Sequence, residues 1–230
     1  MNWTPPEKPA ELTETRLIQA ILDGTFPVGS NLPAERELAV QMGITRPTLR
    51  EVLQRLARDG WLEIHHGKPT RVRNYWEEGS LAVLVAFGIQ GGKPPIDFVT
   101  NLLDVRRLMA PEYTRLAFER NPRAIADFLT NHPTETDSTQ VFAEYDWRLH
   151  RQMCILSGNP VFTLFINSVQ RLYLEMGLIY FEHAETRAHS TGYYTQMLAA
   201  AQAADCPSAF QITQEVMSAS RDMWVKFYQA

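Results

Sequence analysis

Arg46, Thr48 and Arg50 fall on the polar side of a segment in which Leu49, Val52, Leu53 and Leu56 recur at i, i+3, i+4 and i+7, the apolar stripe of a helix. The chemistry open to such a trio is the recognition of anions and base edges. A planar guanidinium can donate twice to guanine O6 and N7, and a threonine or a helix N-terminus can hold a phosphate. Arg36, at the start of the preceding helical segment, is a fourth candidate. The tip His65-His66-Gly67-Lys68 adds a second element: glycine lets the backbone approach a sugar-phosphate wall, and histidine or lysine can probe a narrow minor groove. For an isolated arginine pair a solvated charged face is the ordinary explanation, and for the tip a plain solvent-facing turn. The layout around them decides for recognition.

Other chemistry is poorly supplied. No Ser-His-Asp spacing, nucleophile elbow or glycine-rich phosphate loop supports an enzyme. His65 and His66 lack a neighbouring Cys, His or carboxylate cluster and do not form a metal site. Asp146 and His150 share a helical face at i, i+4, but two ligands without a third rarely retain a metal, and a hydrogen bond on the helix surface or core rim is the expected role. The expectation is therefore no metal and no cofactor. Cys154 and Cys206, far apart in sequence, suit a reducing compartment better than a bridge.

Elements must position these residues. The stripe Leu12, Leu17, Ile18, Ile21 and Leu22 predicts a first helix stopped by Phe26-Pro27-Val28-Gly29. Pro33, followed by Glu35 and Glu37, predicts the start of a second, ended by Gly43. Pro47 opens a third, closed by Gly60. The pattern then changes to period two in Trp61–Ile64 and Thr70–Arg73, a hairpin around residues 65–69. Two helices joined by a short turn, followed directly by a basic hairpin, is the order of a winged helix-turn-helix.

From Trp76 onward only helical patterning remains: 81–89, 96–119 with Pro111 expected to kink or split it, 123–130, 140–156, 161–181, 185–203 and 208–228. Pro94-Pro95, Asn121-Pro122, His132-Pro133, Gly158-Asn159-Pro160 and Asp205-Cys206-Pro207 mark the junctions. The predicted fold is mainly α: a winged helix-turn-helix over residues 1–75, then an all-α bundle of about seven helices over 76–230.

Composition agrees. A chain of 230 residues, 45% hydrophobic and 21% charged, can bury a core in one or two domains. The net charge of −4 hides an asymmetry: residues 1–75 carry 10 Lys/Arg against 9 Asp/Glu, residues 32–73 carry 8 against 5, and the remainder carries 12 against 17. No run approaches the roughly 20 apolar residues of a membrane span, and Met1–Glu11 lacks the apolar core of a signal peptide, so the expected location is the cytoplasm.

The run from Leu32-Pro33-Ala34-Glu35-Arg36 through Gly43-Ile44-Thr45-Arg46 and Leu49-Arg50-Glu51-Val52 to Asp59-Gly60-Trp61 resembles the GntR superfamily of bacterial repressors. The resemblance extends into its fatty-acid-responsive branch through Asn101–Arg106, Thr114–Phe118, Ser157–Pro160, Leu172-Tyr173, Tyr180-Phe181, Gly192–Tyr194 and Ser220 with Trp224. It implies DNA contacts by Arg36, Thr45, Arg46, Thr48 and Arg50, with His66 and Gly67 in the wing. It also implies a homodimer on a pseudo-palindromic operator, released when long-chain acyl-CoA binds. The pocket maps to Arg106, Tyr173, Tyr180, Tyr194, Ser220 and Trp224, with Arg106 expected to attract CoA phosphates and Val216 and Met217 expected to line the slot. Pro47 stands where the pattern has Thr, His150 where it has an apolar aromatic, and Val216-Met217 where it has Tyr-Gly. Repression of degradation genes, with activation of synthesis genes, is the expected output; a metal-bound small carboxylate is the alternative effector.

Overall fold

Helix α1 (Pro9–Leu22) buries Thr13, Leu17, Ile18 and Ile21 against α3 (Arg46–Asp59), and α2 (Glu35–Met42) packs on α3 from another side. The stripe on α3 explains the arrangement: Leu49, Val52, Leu53 and Leu56 are all at most 3% exposed, and each contributes about 1.5–3 kcal/mol by leaving water. Thr45 caps α3, its Oγ1 accepting from the Thr48 amide at 3.4 Å, and Pro47 occupies the first turn where no amide donor is needed. Gly60 ends the helix at φ 97°, with the Gly79 backbone so close that a Cβ would lie 2.7 Å from its Cα. Pro33 does not open α2 as expected. Ala34, at φ −54° and ψ 141°, is the N-cap, so the proline lies outside the helix.

Strands β1 (Leu62–Glu63) and β2 (Arg71–Val72) pair antiparallel, with Leu62 opposite Val72. They are shorter than the period-two pattern predicts. The far side of β2 pairs with residues 29–32 through the Asn31–Arg71 bridge, so the wing has a third contributor that alternation did not reveal. Two further helices follow, α4 (Tyr75–Glu78) and α5 (Leu81–Ile89). Tyr75 places its ring 4.9 Å from buried Trp61.

The computed structural model describes residues 9–89 and 96–228. The chain divides into two units, Met1–Gly92 and Lys93–Ala230, so α5 belongs with the winged unit. The second unit holds, among the described residues, seven helices: α6 (Ile96–Arg120), α7 (Pro122–Leu129), α8 (Thr139–Leu156), α9 (Pro160–Ser168), α10 (Gln170–Tyr180), α11 (Ala184–Gln202) and α12 (Cys206–Tyr228). The expected 161–181 helix is broken at Val169, at φ −104° and ψ 10°, into α9 and α10. Pro111 lies buried inside α6 without splitting it. Pro94-Pro95 lies outside the described residues. Helix α6 runs along α12, α8 packs on α6, α9 and α10, and α11 packs on α7 and α12. Phe142, Phe181, Tyr193 and Tyr194 are the largest fully buried side chains of this unit. No helix among the described residues is long and apolar enough to cross a membrane.

Candidate functional site

In the first unit, Arg36 in the opening turn of α2, Arg46 and Arg50 on α3, and His66, Gly67 and Lys68 of the wing border one concave surface. Arg36, Arg46 and Lys68 are exposed and form no ion pair with a described residue. Arg50 differs: its Nε donates to Glu35 Oε2 at 2.7 Å, an exposed pair worth little against solvent. His65 is held within the wing by Glu63 at 2.9 Å, while Arg71 approaches the other oxygen of Glu63 at 3.2 Å. That hydrogen bond from His65, with the nearby arginines, keeps the Glu63 carboxyl below its usual range. Thr45 and Thr48 are used locally: their hydroxyls lie 2.9 Å apart at the α3 cap, and neither borders the concavity. What the surface offers is four cationic side chains on a helix start, a neighbouring helix start and a wing tip.

In the second unit, α6, α8, α9, α10 and α12 surround a cavity of about 130 Å³. Its walls are largely apolar, with Leu102, Met109, Phe165, Leu172 and Met176 among them. Arg106, Tyr173, Tyr180, Ser220 and Trp224 line it. Tyr194 lies outside the wall, fully buried, donating to Asp146 Oδ1 at 2.9 Å. Val216 and Met217 also lie outside it, in the core where α12 packs. Their expectation as slot residues is corrected: the turn of α12 carrying Ser220 and Trp224 faces the cavity, while the turn before it faces the core.

One part of the wall is polar, a cluster whose extent the sequence did not suggest. Arg106 Nη2 donates to Asp146 Oδ2 at 3.0 Å and to His150 Nε2 at 2.7 Å. Tyr173 donates to Asp146 Oδ2 at 2.6 Å, and Tyr113 Oη lies 2.7 Å from His150 Nδ1. Because guanidinium has only donors, His150 Nε2 must accept; the neutral ring therefore carries its proton on Nδ1 and donates it to Tyr113. Burial, reinforced by the Arg106 charge, pushes His150 down to about 3 despite Asp146. Burial raises Asp146, but Arg106, His150 and the phenol hydrogen bonds outweigh it and hold the carboxyl below its usual range. Burial also depresses the Arg106 guanidinium, and Tyr173 and Asp146 more than offset it. At neutral pH the cluster is a cation, an anion, a neutral imidazole and neutral phenols. Cys154, also in the wall, is inert: burial pushes its thiol up to about 12.

Two expectations change here. Arg106 is not a surface anchor for CoA phosphates, because its side chain is 21% exposed and already paired with Asp146. Asp146 and His150 do share a helical face, but in the core and joined through an arginine from another helix. Spacing alone disclosed the pair; Arg106, forty residues earlier, carried no signal linking it to them.

Residues 9–72 match the family described as bacterial regulatory proteins, gntR family, and residues 73–230 match the FadR C-terminal domain. A protein of Pectobacterium atrosepticum named fatty acid metabolism regulator protein is 41% identical over 191 residues, covering 83% of this chain and 80% of that one. The protein of the same name from Klebsiella pneumoniae is 37% identical over 218 residues, covering 95% and 91%. A solved structure described as Lar, which controls expression of the Listeria monocytogenes agr system, aligns over 99% of this chain and 100% of that chain. Its TM-score is 0.68 at 13% identity, a likeness of fold.

Proposed function

Because the chain belongs to the GntR family of bacterial regulators, with a C-terminal half of the FadR type, we propose that it is a DNA-binding transcriptional regulator of fatty acid metabolism whose operator binding is released by long-chain acyl-CoA. The family consists of regulators and not enzymes. The observation that carries the effector reading is the cavity: apolar walls contributed by five helices of the unit that matches the FadR C-terminal domain.

The reader would work through the concave surface of the first unit. Arg46 and Arg50, on the first turns of α3, suit base edges; Arg36 and Lys68 suit flanking phosphates. Two-fold operators need two readers about one helical turn apart, which favours a homodimer. The sensor would work through volume. A cavity of about 130 Å³ is below the roughly 300–1,000 Å³ of a ligand pocket, so a long acyl chain must part the helices that wall it. A ligand that fits only the parted state shifts the equilibrium by its differential affinity, and that is the source of release. Repression of degradation genes, and activation of synthesis genes, would follow from where operators lie. A metal-held carboxylate gains no support at Asp146 and His150, since the cation between them is Arg106.

Titration calorimetry with palmitoyl-CoA and with free CoA tests the sensor. Palmitoyl-CoA is expected to bind once per chain and free CoA far more weakly; equal affinities would overturn the role of the cavity.

A further inference from the structure

The cavity wall contains buried donors without a hydrogen-bond partner among the described residues. Arg106 commits Nη2 twice, to Asp146 and His150, and its guanidinium lies over the Tyr173 ring at 5.1 Å. Its Nε–H is buried without a partner among the described residues. On the same wall the Trp224 indole N–H is also buried and unpartnered among the described residues. An unsatisfied buried donor is costly, and a donor on a cation more so. These atoms have essentially no surface open to the cavity, so a ligand meets them as it parts the helices of the wall.

A saturated acyl chain offers only carbon to Arg106. The thioester brings one carbonyl oxygen to a wall with two such donors, Arg106 Nε–H and Trp224 Nε1–H. His150 makes the demand permanent: as a neutral acceptor fixed by Tyr113, it holds the guanidinium in place from the side away from the chain. An apolar ring at 150 would leave Nη2 without that acceptor.

Resting on the acyl-CoA reading above, we infer that the preferred ligand is an acyl chain bearing an oxygen function, a hydroxyl or keto group, placed to accept from Arg106 Nε–H. His150 acts as the positioning residue that keeps this donor aimed. The cavity then discriminates chains by what they carry as well as by length.

The test is a calorimetric panel: palmitoyl-CoA against its β-hydroxy, mid-chain hydroxy and ω-hydroxy derivatives. At least one derivative is expected to bind about tenfold more tightly than palmitoyl-CoA, or about 1.4 kcal/mol. Arg106→Lys keeps a positive charge for Asp146 but removes the Nε–H, and brings that ratio close to one. His150→Phe keeps the Nε–H but releases the guanidinium, and lowers the ratio while palmitoyl-CoA still binds. Equal or weaker binding of all three derivatives to the wild type overturns the inference, as does a preference that survives Arg106→Lys unchanged. Should that variant fail to fold, the wild-type ratio and His150→Phe decide alone. If palmitoyl-CoA and all three derivatives fail to bind, the acyl-CoA reading itself falls; binding without preference removes only the oxygen requirement.

Discussion

Lengthening the acyl chain one carbon at a time should separate binding from operator release. The cavity of about 130 Å³ is close to the ~150 Å³ that accepts a benzene ring, so it houses about five chain carbons without moving a helix. Over that range each methylene should contribute about 0.8 kcal/mol, or about fourfold in affinity. Such ligands fit the resting state and therefore cannot displace it. Moving a two-state equilibrium from 1:99 to 99:1 takes about 5.5 kcal/mol of differential affinity, the yield of about seven further methylenes. Full release should accordingly require chains of about twelve carbons, while hexanoyl-CoA binds and releases little. Calorimetry gives the affinities, and anisotropy of a labelled duplex, selected from a random library for tight binding, gives release. Complete release by saturating butyryl- or hexanoyl-CoA would refute the reasoning, as would release that rises in step with affinity from the first carbon.

On the reader, Arg46→Ala should weaken specific binding by about 1–3 kcal/mol, with Arg50→Ala toward the lower end because Glu35 competes for its guanidinium. Lys68→Ala should weaken all sequences alike and reduce the salt slope by about one, checked by binding at several salt concentrations. Met217→Gly should cost stability, about 2–5 kcal/mol for the lost side chain and about 1 for glycine in a helix, by urea titration. It should leave the ratio of palmitoyl- to decanoyl-CoA affinities unchanged, since Met217 packs in the core; a changed ratio would return it to the cavity. His150, at about 3 when folded, stays unprotonated where the unfolded chain takes up a proton below about pH 6.5, so its stabilisation is complete above that value and falls as pH falls toward 3. Between pH 7 and pH 5 the wild type should lose up to about 2 kcal/mol more than His150→Phe, measured by denaturant titration at each pH.

The helices were legible because periodicity and proline report local geometry. Leu49, Val52, Leu53 and Leu56 disclosed α3, and the Asn159-Pro160 pair disclosed the start of α9 with its Asn159 cap. The break at Val169 was hidden, since Asn167-Ser168-Val169 contains neither glycine nor proline. The third contributor to the wing was hidden for another reason: Asn31 pairs with Arg71 across forty residues, and two or three extended residues leave no alternation to read. Pro111 misled in the opposite direction, because packing along α12 keeps α6 whole despite the missing amide donor. In the cavity, Ser220 and Trp224 were placed by the family resemblance, and at i, i+4 they share one face of α12. Val216 lies on that same face one turn earlier, so whether it and Met217 meet the cavity depends on where the cavity ends, a property of five helices together.

Operator affinity measured by anisotropy with saturating palmitoyl-CoA, saturating free CoA and no ligand puts the central claim to its most direct trial. The account predicts at least a hundredfold loss of affinity, about 2.7 kcal/mol, with palmitoyl-CoA and no change with free CoA. Equal operator affinity in all three conditions, with palmitoyl-CoA shown by calorimetry to be bound, would contradict it.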